Sequence, residues 1–228
     1  MKYEWLLFDL DNTLLDFDQA ALRAFQQTLA IFNIRSQPHY YKLYKKINNK
    51  VWRDYENKAI SSVALRPKRF ELFLAETAQK ADPNIMSATY LKLLVKHSTL
   101  LEDAKELLDF LQPNYKMAII TNGLKEVQRP RLALTKIDHY FEAIIVSDEI
   151  GVAKPQKAYF DHTFQQIQHP DKSSVLVIGD GLNSDIKGGY NFGLDTCWLN
   201  PKGQQNTLDL QPTYEIQKLA ALKAQGIV

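Results

Sequence analysis

Five short apolar runs set the limits on what this chain can fold into: Trp5-Leu6-Leu7-Phe8, Met117-Ala118-Ile119-Ile120, Ala143-Ile144-Ile145-Val146, Val175-Leu176-Val177-Ile178 and Thr196-Cys197-Trp198-Leu199. A strand with one wet face alternates apolar and polar residues. These runs do not alternate, so both of their faces must be covered. Helical periodicity fills residues 102–111, 127–134, 158–168 and 186–191, between most of the runs. The expected class is α/β: a Rossmann-like parallel sheet flanked by helices, with right-handed crossovers.

Between the first run and the second the pattern is helical throughout. Ala20, Ala21, Ala24, Phe25, Leu29 and Phe32 recur at three- and four-residue steps, as do Leu43, Ile47, Val51 and Trp52. A third stretch is expected after a turn at Arg66-Pro67, and a fourth after Asp82-Pro83, where Asp82 reads as a helix cap. An all-helical block over residues 16–97 is therefore inserted into an α/β core made of residues 1–15 and 98–228. The tail beyond Pro201 reads as irregular, then helical near Leu219.

Composition excludes several classes. Formal net charge is only +2, and no Lys/Arg block marks a nucleic-acid surface. Lys42, Lys45, Lys46 and Lys50 read as one solvated helix face. The single cysteine, Cys197, lies in an apolar run and reads as a small core residue. No run approaches the ~20 residues that span a bilayer, and no secretory signal is visible, so the expected location is the cytoplasm.

The chemistry lies at the ends of the runs, the edge of an open parallel sheet where ligands bind. Asp9-Leu10-Asp11-Asn12-Thr13 follows the first run. An aspartate is ionised at neutral pH and can attack phosphorus without a base to activate it. Asp11, two residues on, is placed to protonate a leaving alkoxide and then to deprotonate an attacking water, a role that suits a carboxyl among like charges. Thr121-Asn122-Gly123 ends the second run, with a hydroxyl and backbone N–H groups for phosphoryl oxygens. Lys154-Pro155 lies in the loop after the third, where a lysine can pair with phosphate and with Asp9. Gly179-Asp180 ends the fourth, with Asp185 five residues on. If that strand neighbours the first, Asp9, Asp180 and Asp185 converge as hard oxygen ligands suited to Mg²⁺. Each signal alone is weak, but their order along the chain is not accidental.

Together Asp9-Leu10-Asp11-Asn12-Thr13, Thr121-Asn122-Gly123, Lys154-Pro155 and Gly179-Asp180 with Asp185 resemble the motif set of the haloacid dehalogenase superfamily. The helical insertion resembles that superfamily's cap. The resemblance implies Asp9 as nucleophile and Asp11 as acid/base. It implies Mg²⁺ held by Asp9, Asp180 and the Asp11 backbone carbonyl, with Asp185 acting directly or through water. It implies a phosphoryl group held by Thr121, Asn122 and Lys154. Asn49-Lys50-Val51-Trp52, Tyr55, Ile60, Arg69-Phe70, Gly151-Val152-Ala153-Lys154-Pro155 and Thr196-Cys197-Trp198-Leu199-Asn200 are also similar to bacterial pyrimidine 5'-nucleotidases. Trp52 and Arg69 are then candidate contacts to a base.

The expectation is a Mg²⁺-dependent phosphomonoesterase acting on a small-molecule phosphate monoester, a pyrimidine nucleoside 5'-monophosphate in particular, with no nucleic-acid polymer and no membrane as partner. A sugar-phosphate phosphatase or a phosphomutase uses the same groups, and cap closure decides whether water or a sugar hydroxyl attacks. A dehalogenase expels a halide without a proton and needs neither Asp11 nor a metal. A receiver module also uses aspartate, Mg²⁺, a hydroxyl and a lysine, but it is much shorter and lacks the insertion. Gly179-Asp180-Gly181 is no dinucleotide fingerprint, because the third glycine is missing and Asp180 would face a pyrophosphate.

Overall fold

The computed structural model describes residues 2–228. They form two compact units, one from residues up to Asp16 together with Thr99–Val228, the other from Phe17–Ser98.

The first unit is built on six strands: β1 (Trp5–Phe8), β2 (Lys116–Thr121), β3 (Ala143–Val146), β4 (Val175–Gly179), β5 (Asp195–Leu199) and β6 (Tyr214–Ile216). Their order is β3-β2-β1-β4-β5-β6, and every neighbouring pair is parallel. Phe8 aligns with Ile119 of β2 and with Ile178 of β4. The chain order thus reverses at β1, and the residues that leave its carboxyl end emerge between two strands whose crossovers run opposite ways.

Side chains alternate across a strand, and here both faces are apolar. Leu6, Phe8, Ile119, Ile178 and Cys197 enter one core with Leu107, Leu108 and Leu111. Those three leucines come from a helix over Ala104–Leu111. Trp5, Leu7, Ala118, Ile120 and Val177 enter the other with Tyr159, Phe160, Phe164 and Phe192. Two covered faces account for the unbroken apolar runs.

The second unit holds four helices, α1 (Phe17–Ile31), α2 (Tyr40–Glu56), α3 (Ser62–Thr77) and α4 (Pro83–Lys96). Its centre is aromatic. The Phe25 ring stacks on Tyr44 at 4.6 Å and meets Phe73 edge-on at 5.3 Å. Asp82 caps α4, accepting from the Asn84 N–H at 2.8 Å, with Pro83 in the first turn.

Two local expectations fail. Arg66-Pro67 is not a turn: α3 begins at Ser62, capped by Ser61, and runs through both residues. The proline removes the N–H that would reach the Val63 carbonyl. Val63 is exposed, so water can meet that carbonyl. The tail is not wholly irregular either, because Tyr214–Ile216 pairs along β5 as a sixth strand. No helix among the described residues is long and apolar enough to cross a membrane.

Candidate active site

The turn after β1 is shaped by its own sequence. Asn12 adopts a left-handed conformation (φ 59°), which a short amide side chain tolerates well. Its N–H donates to the Leu15 carbonyl at 2.8 Å, and the Asp9 N–H donates to the Ile178 carbonyl of β4 at 2.9 Å. Asp9 is thereby fixed at the switch point, buried, and beside the end of β4.

Carboxylate oxygens of Asp9, Asp180 and Asp185 all lie within 4.8 Å of one another. Lys154 is buried among them. Its ammonium donates to Asp9 Oδ1 at 2.8 Å, to Asp185 Oδ1 at 2.6 Å and to the Ile120 carbonyl at 2.6 Å. Three donors meet three acceptors. Burial works against the charge on Lys154, but Asp185 and Asp9 more than offset it and hold its pKa above the ordinary value. Burial raises the Asp9 carboxyl; Lys154 opposes that shift and Asp185 adds to it. Burial also raises Asp180, with Asp9 and Asp185 adding repulsion. Three carboxyls around one ammonium leave an excess of negative charge on hard oxygen donors, which fits a divalent cation such as Mg²⁺.

Glycine is required at the end of β4 by close approach. A Cβ on Gly179 would lie 2.4 Å from Asp185 Oδ2, and one on Gly181 would lie 2.1 Å from the Ser184 hydroxyl. That absence of side chain lets Asp185 fold back so that its Oδ2 accepts the Gly181 N–H at 2.9 Å.

The other motif residues take more specific places than their types suggest. The Asn122 side chain clamps the backbone of Lys154. Its Oδ1 accepts the Lys154 N–H at 2.8 Å, and its Nδ2 donates to the Lys154 carbonyl at 2.9 Å. Thr121 is buried, its hydroxyl oxygen accepting from Gln128 Nε2 at 2.7 Å. Asp11 is turned to the helix α6 (Lys125–Thr135; α5 is the Ala104–Leu111 helix), where Arg131 Nη1 donates to its Oδ1 and Gln128 Nε2 to its Oδ2 at 2.9 Å. Trp52 and Arg69 belong to the four-helix unit. Trp52, on α2, is half-buried and edge-on to Tyr55 at 5.8 Å. Arg69, on α3, is buried, with Nη1 donating to Asn48 Oδ1 at 3.2 Å. Its Nε and Nη2 have no hydrogen-bond partner among the described residues.

Residue typing missed four contributors. Thr13 donates its hydroxyl to Asp9 Oδ2 at 3.1 Å and accepts the Asp180 N–H at 3.2 Å, joining two carboxylate-bearing turns. Trp198 Nε1 donates to the Asp180 carbonyl at 3.0 Å from an apolar run that reads only as core. Gln128 and Arg131 sit three apart on one helix face, within a stretch that reads only as helical. Their one signal is position, a turn after Thr121-Asn122-Gly123.

The chain is similar to known proteins along nearly its whole length. The family model for haloacid dehalogenase-like hydrolases matches residues 3–193. Pyrimidine 5'-nucleotidase YjjG of Escherichia coli (strain K12) is 35% identical over 223 residues, covering 98% of this chain and 97% of its own. Pyrimidine 5'-nucleotidase PynA of Streptococcus pneumoniae is 36% identical over 217 residues, covering 95% of this chain and 92% of its own. The magnesium-bound crystal structure of Bacillus subtilis YfnB superposes with a TM-score of 0.93 at 35% identity, over 100% of both chains.

Proposed function

The chain belongs to the haloacid dehalogenase-like hydrolases, and from that premise we propose that it is a Mg²⁺-dependent phosphomonoesterase acting through an aspartyl-phosphate on Asp9. The observation that carries this reading is the convergence of Asp9, Asp180 and Asp185 around Lys154 at the switch point of the sheet. Asp9, Asp180 and the Asp11 backbone carbonyl would hold the metal, with Asp185 beside them. A bound Mg²⁺ neutralises charge on phosphoryl oxygens and on the carboxylates that face them.

The residues of the chain divide the work. An Asp9 oxygen forms a bond to phosphorus as the bond to the ester oxygen breaks, and Asp11 supplies the proton that the departing alkoxide needs. Asp11 then takes a proton from a water that attacks the same phosphorus, and the Asp9 carboxylate is released. Thr13 and Lys154 keep the two Asp9 oxygens in place. The Thr121 hydroxyl receives a phosphoryl oxygen, and Asn122 fixes the loop that carries Lys154. Phosphate-monoester hydrolysis is slow enough unaided that enzymes accelerate it by up to ~10²¹-fold, and most of that comes from such fixed charges and donors. A halide would need no proton, so Asp11 and its two hydrogen-bond partners favour an ester substrate over a haloacid.

The pyrimidine 5'-nucleotidase relatives support a pyrimidine nucleoside 5'-monophosphate as substrate. In the helical unit, Trp52 supplies an aromatic face. The paired Nε and Nη2 donors of buried Arg69 form a fork that suits carbonyl acceptors on a base. The test is phosphate release from a panel of phosphomonoesters, with Mg²⁺ and with a chelator, using wild type and Asp9→Asn. Turnover by wild type that needs Mg²⁺ and disappears in the variant is expected. Undiminished turnover by Asp9→Asn would overturn the proposal.

A further inference from the structure

We infer that Gln128 and Arg131 are a positioning pair that sets the orientation of both Asp11 and the Thr121 hydroxyl; the inference rests on the phosphomonoesterase reading and extends it to two residues outside the motifs. Both side chains are fully buried on α6, and Asp11 keeps about a quarter of its side chain open, at 27%.

The orientation follows from donor and acceptor counting. A guanidinium only donates. Arg131 Nη1 lies 2.9 Å from Gln128 Oε1, so that end of the amide must be its oxygen. The amide nitrogen therefore faces the other way, where Nε2 lies 2.9 Å from Asp11 Oδ2 and 2.7 Å from Thr121 Oγ1. Each of its two hydrogens has one acceptor. Thr121 Oγ1 also accepts the Gly123 N–H at 3.2 Å. Both lone pairs of that hydroxyl are then filled, and its one proton is left to be donated. Thr121 is thereby a donor, the polarity that a phosphoryl oxygen requires. The same chain of bonds holds Asp11 by both oxygens, Oδ1 from Arg131 and Oδ2 from Gln128.

The pair is fully buried, behind Asp11 and Thr121. It acts through Asp11 and Thr121, and its loss has a signature that a general loss of packing lacks. Asp11 matters to the first chemical step only where the leaving group needs a proton. A nucleoside alkoxide needs one; p-nitrophenolate leaves as a stable anion. Because kcat/KM reports the steps through formation of the aspartyl-phosphate, comparing the two esters isolates the acid role.

The experiment measures kcat/KM for uridine 5'-monophosphate and for p-nitrophenyl phosphate in wild type, R131M, R131K and Q128L, with melting temperatures recorded for each. R131M is expected to lose at least about tenfold on the nucleotide, part of the ~10²–10⁴ that a placed acid supplies, and to stay within about threefold on the aryl ester. R131K keeps the charge and a donor and is expected to recover part of the nucleotide rate, and it carries the test if R131M does not fold. Q128L removes the bond to Thr121 as well, so it is expected to raise KM for both esters. Equal losses on both esters in R131M and R131K, or no loss in either, would overturn the positioning role while leaving the phosphatase reading intact. A wild type that releases phosphate from neither ester would overturn the phosphatase reading itself.

Discussion

Replacing Lys154 by methionine removes the only ammonium in contact with Asp9 and Asp185 among the described residues, and its consequences follow from the geometry. Methionine keeps much of the volume and none of the three donors. Two of the lost bonds are charge-assisted, at 2.8 and 2.6 Å, each of a kind worth ~1.5–3 kcal/mol. Lys154 and Asp185 are each 1% exposed, so water cannot take the place of the lost partner. Removing one member of such a buried set destabilises by ~3–5 kcal/mol, because charge is left behind without compensation. For a chain of this size that is a fall in Tm of about 6–20 °C. The assay is thermal unfolding in the presence of a chelator, so that no cation stands in for the ammonium. The Lys154→Met, Asp185→Asn double variant removes one of the abandoned charges and should recover at least ~1 kcal/mol relative to Lys154→Met alone. A Lys154→Met melt within about 3 °C of wild type, or a double variant no better than the single, would refute the reasoning.

Other perturbations follow from the same contacts. Gly179→Ala drives a methyl into Asp185 Oδ2 and should weaken Mg²⁺ binding, read by titration calorimetry, by at least about tenfold. Asn122→Ala deletes both bonds to the Lys154 backbone and should cost ~1–3 kcal/mol in urea unfolding, with turnover falling as the Lys154 loop loosens. Phe160→Ala empties a fully buried site stacked on Phe192 and packed beside Gly188, and should cost ~3–5 kcal/mol by the same assay. Burial works to raise the Asp195 carboxyl, but hydrogen bonds from Lys2 and Tyr3 outweigh it and hold the group below the usual carboxylate range. A depressed carboxylate stabilises above its unfolded pKa and loses that contribution as pH falls. Asp195→Asn should therefore flatten the decline in Tm below about pH 4.

The sheet was legible because burial on both faces leaves an unmistakable mark. Trp5 to Phe8 and Val175 to Ile178 are apolar at every position since odd and even residues enter different cores. Asp9 and Asp180 were legible because each sits where such a run stops. What stayed hidden has physical reasons too. Tyr214–Ile216 is three residues long at a sheet edge, too short to show a period. Pro67 reads as a breaker, yet the carbonyl it orphans belongs to an exposed residue and the helix continues. The family resemblance implies Asn122 as a phosphate ligand and carries no sign that its amide clamps the Lys154 backbone, a pairing set by a loop far along the chain. Gln128 and Arg131 lie in a stretch that reads only as helical, and only the packing of α6 against the turn after β1 shows them to be interior. Polar residues that serve other polar residues carry no periodic signal.

The claim on which the rest stands is that Asp9 bonds to phosphorus. It is tested most directly by rapid acid quench of turnover with a radiolabelled phosphomonoester, followed by mapping of the label to a peptide. Label that appears on the peptide carrying Asp9, is lost on hydroxylamine treatment and never forms in Asp9→Asn is the predicted result. Turnover at full rate with no label on that peptide, or with label on another residue, would contradict it.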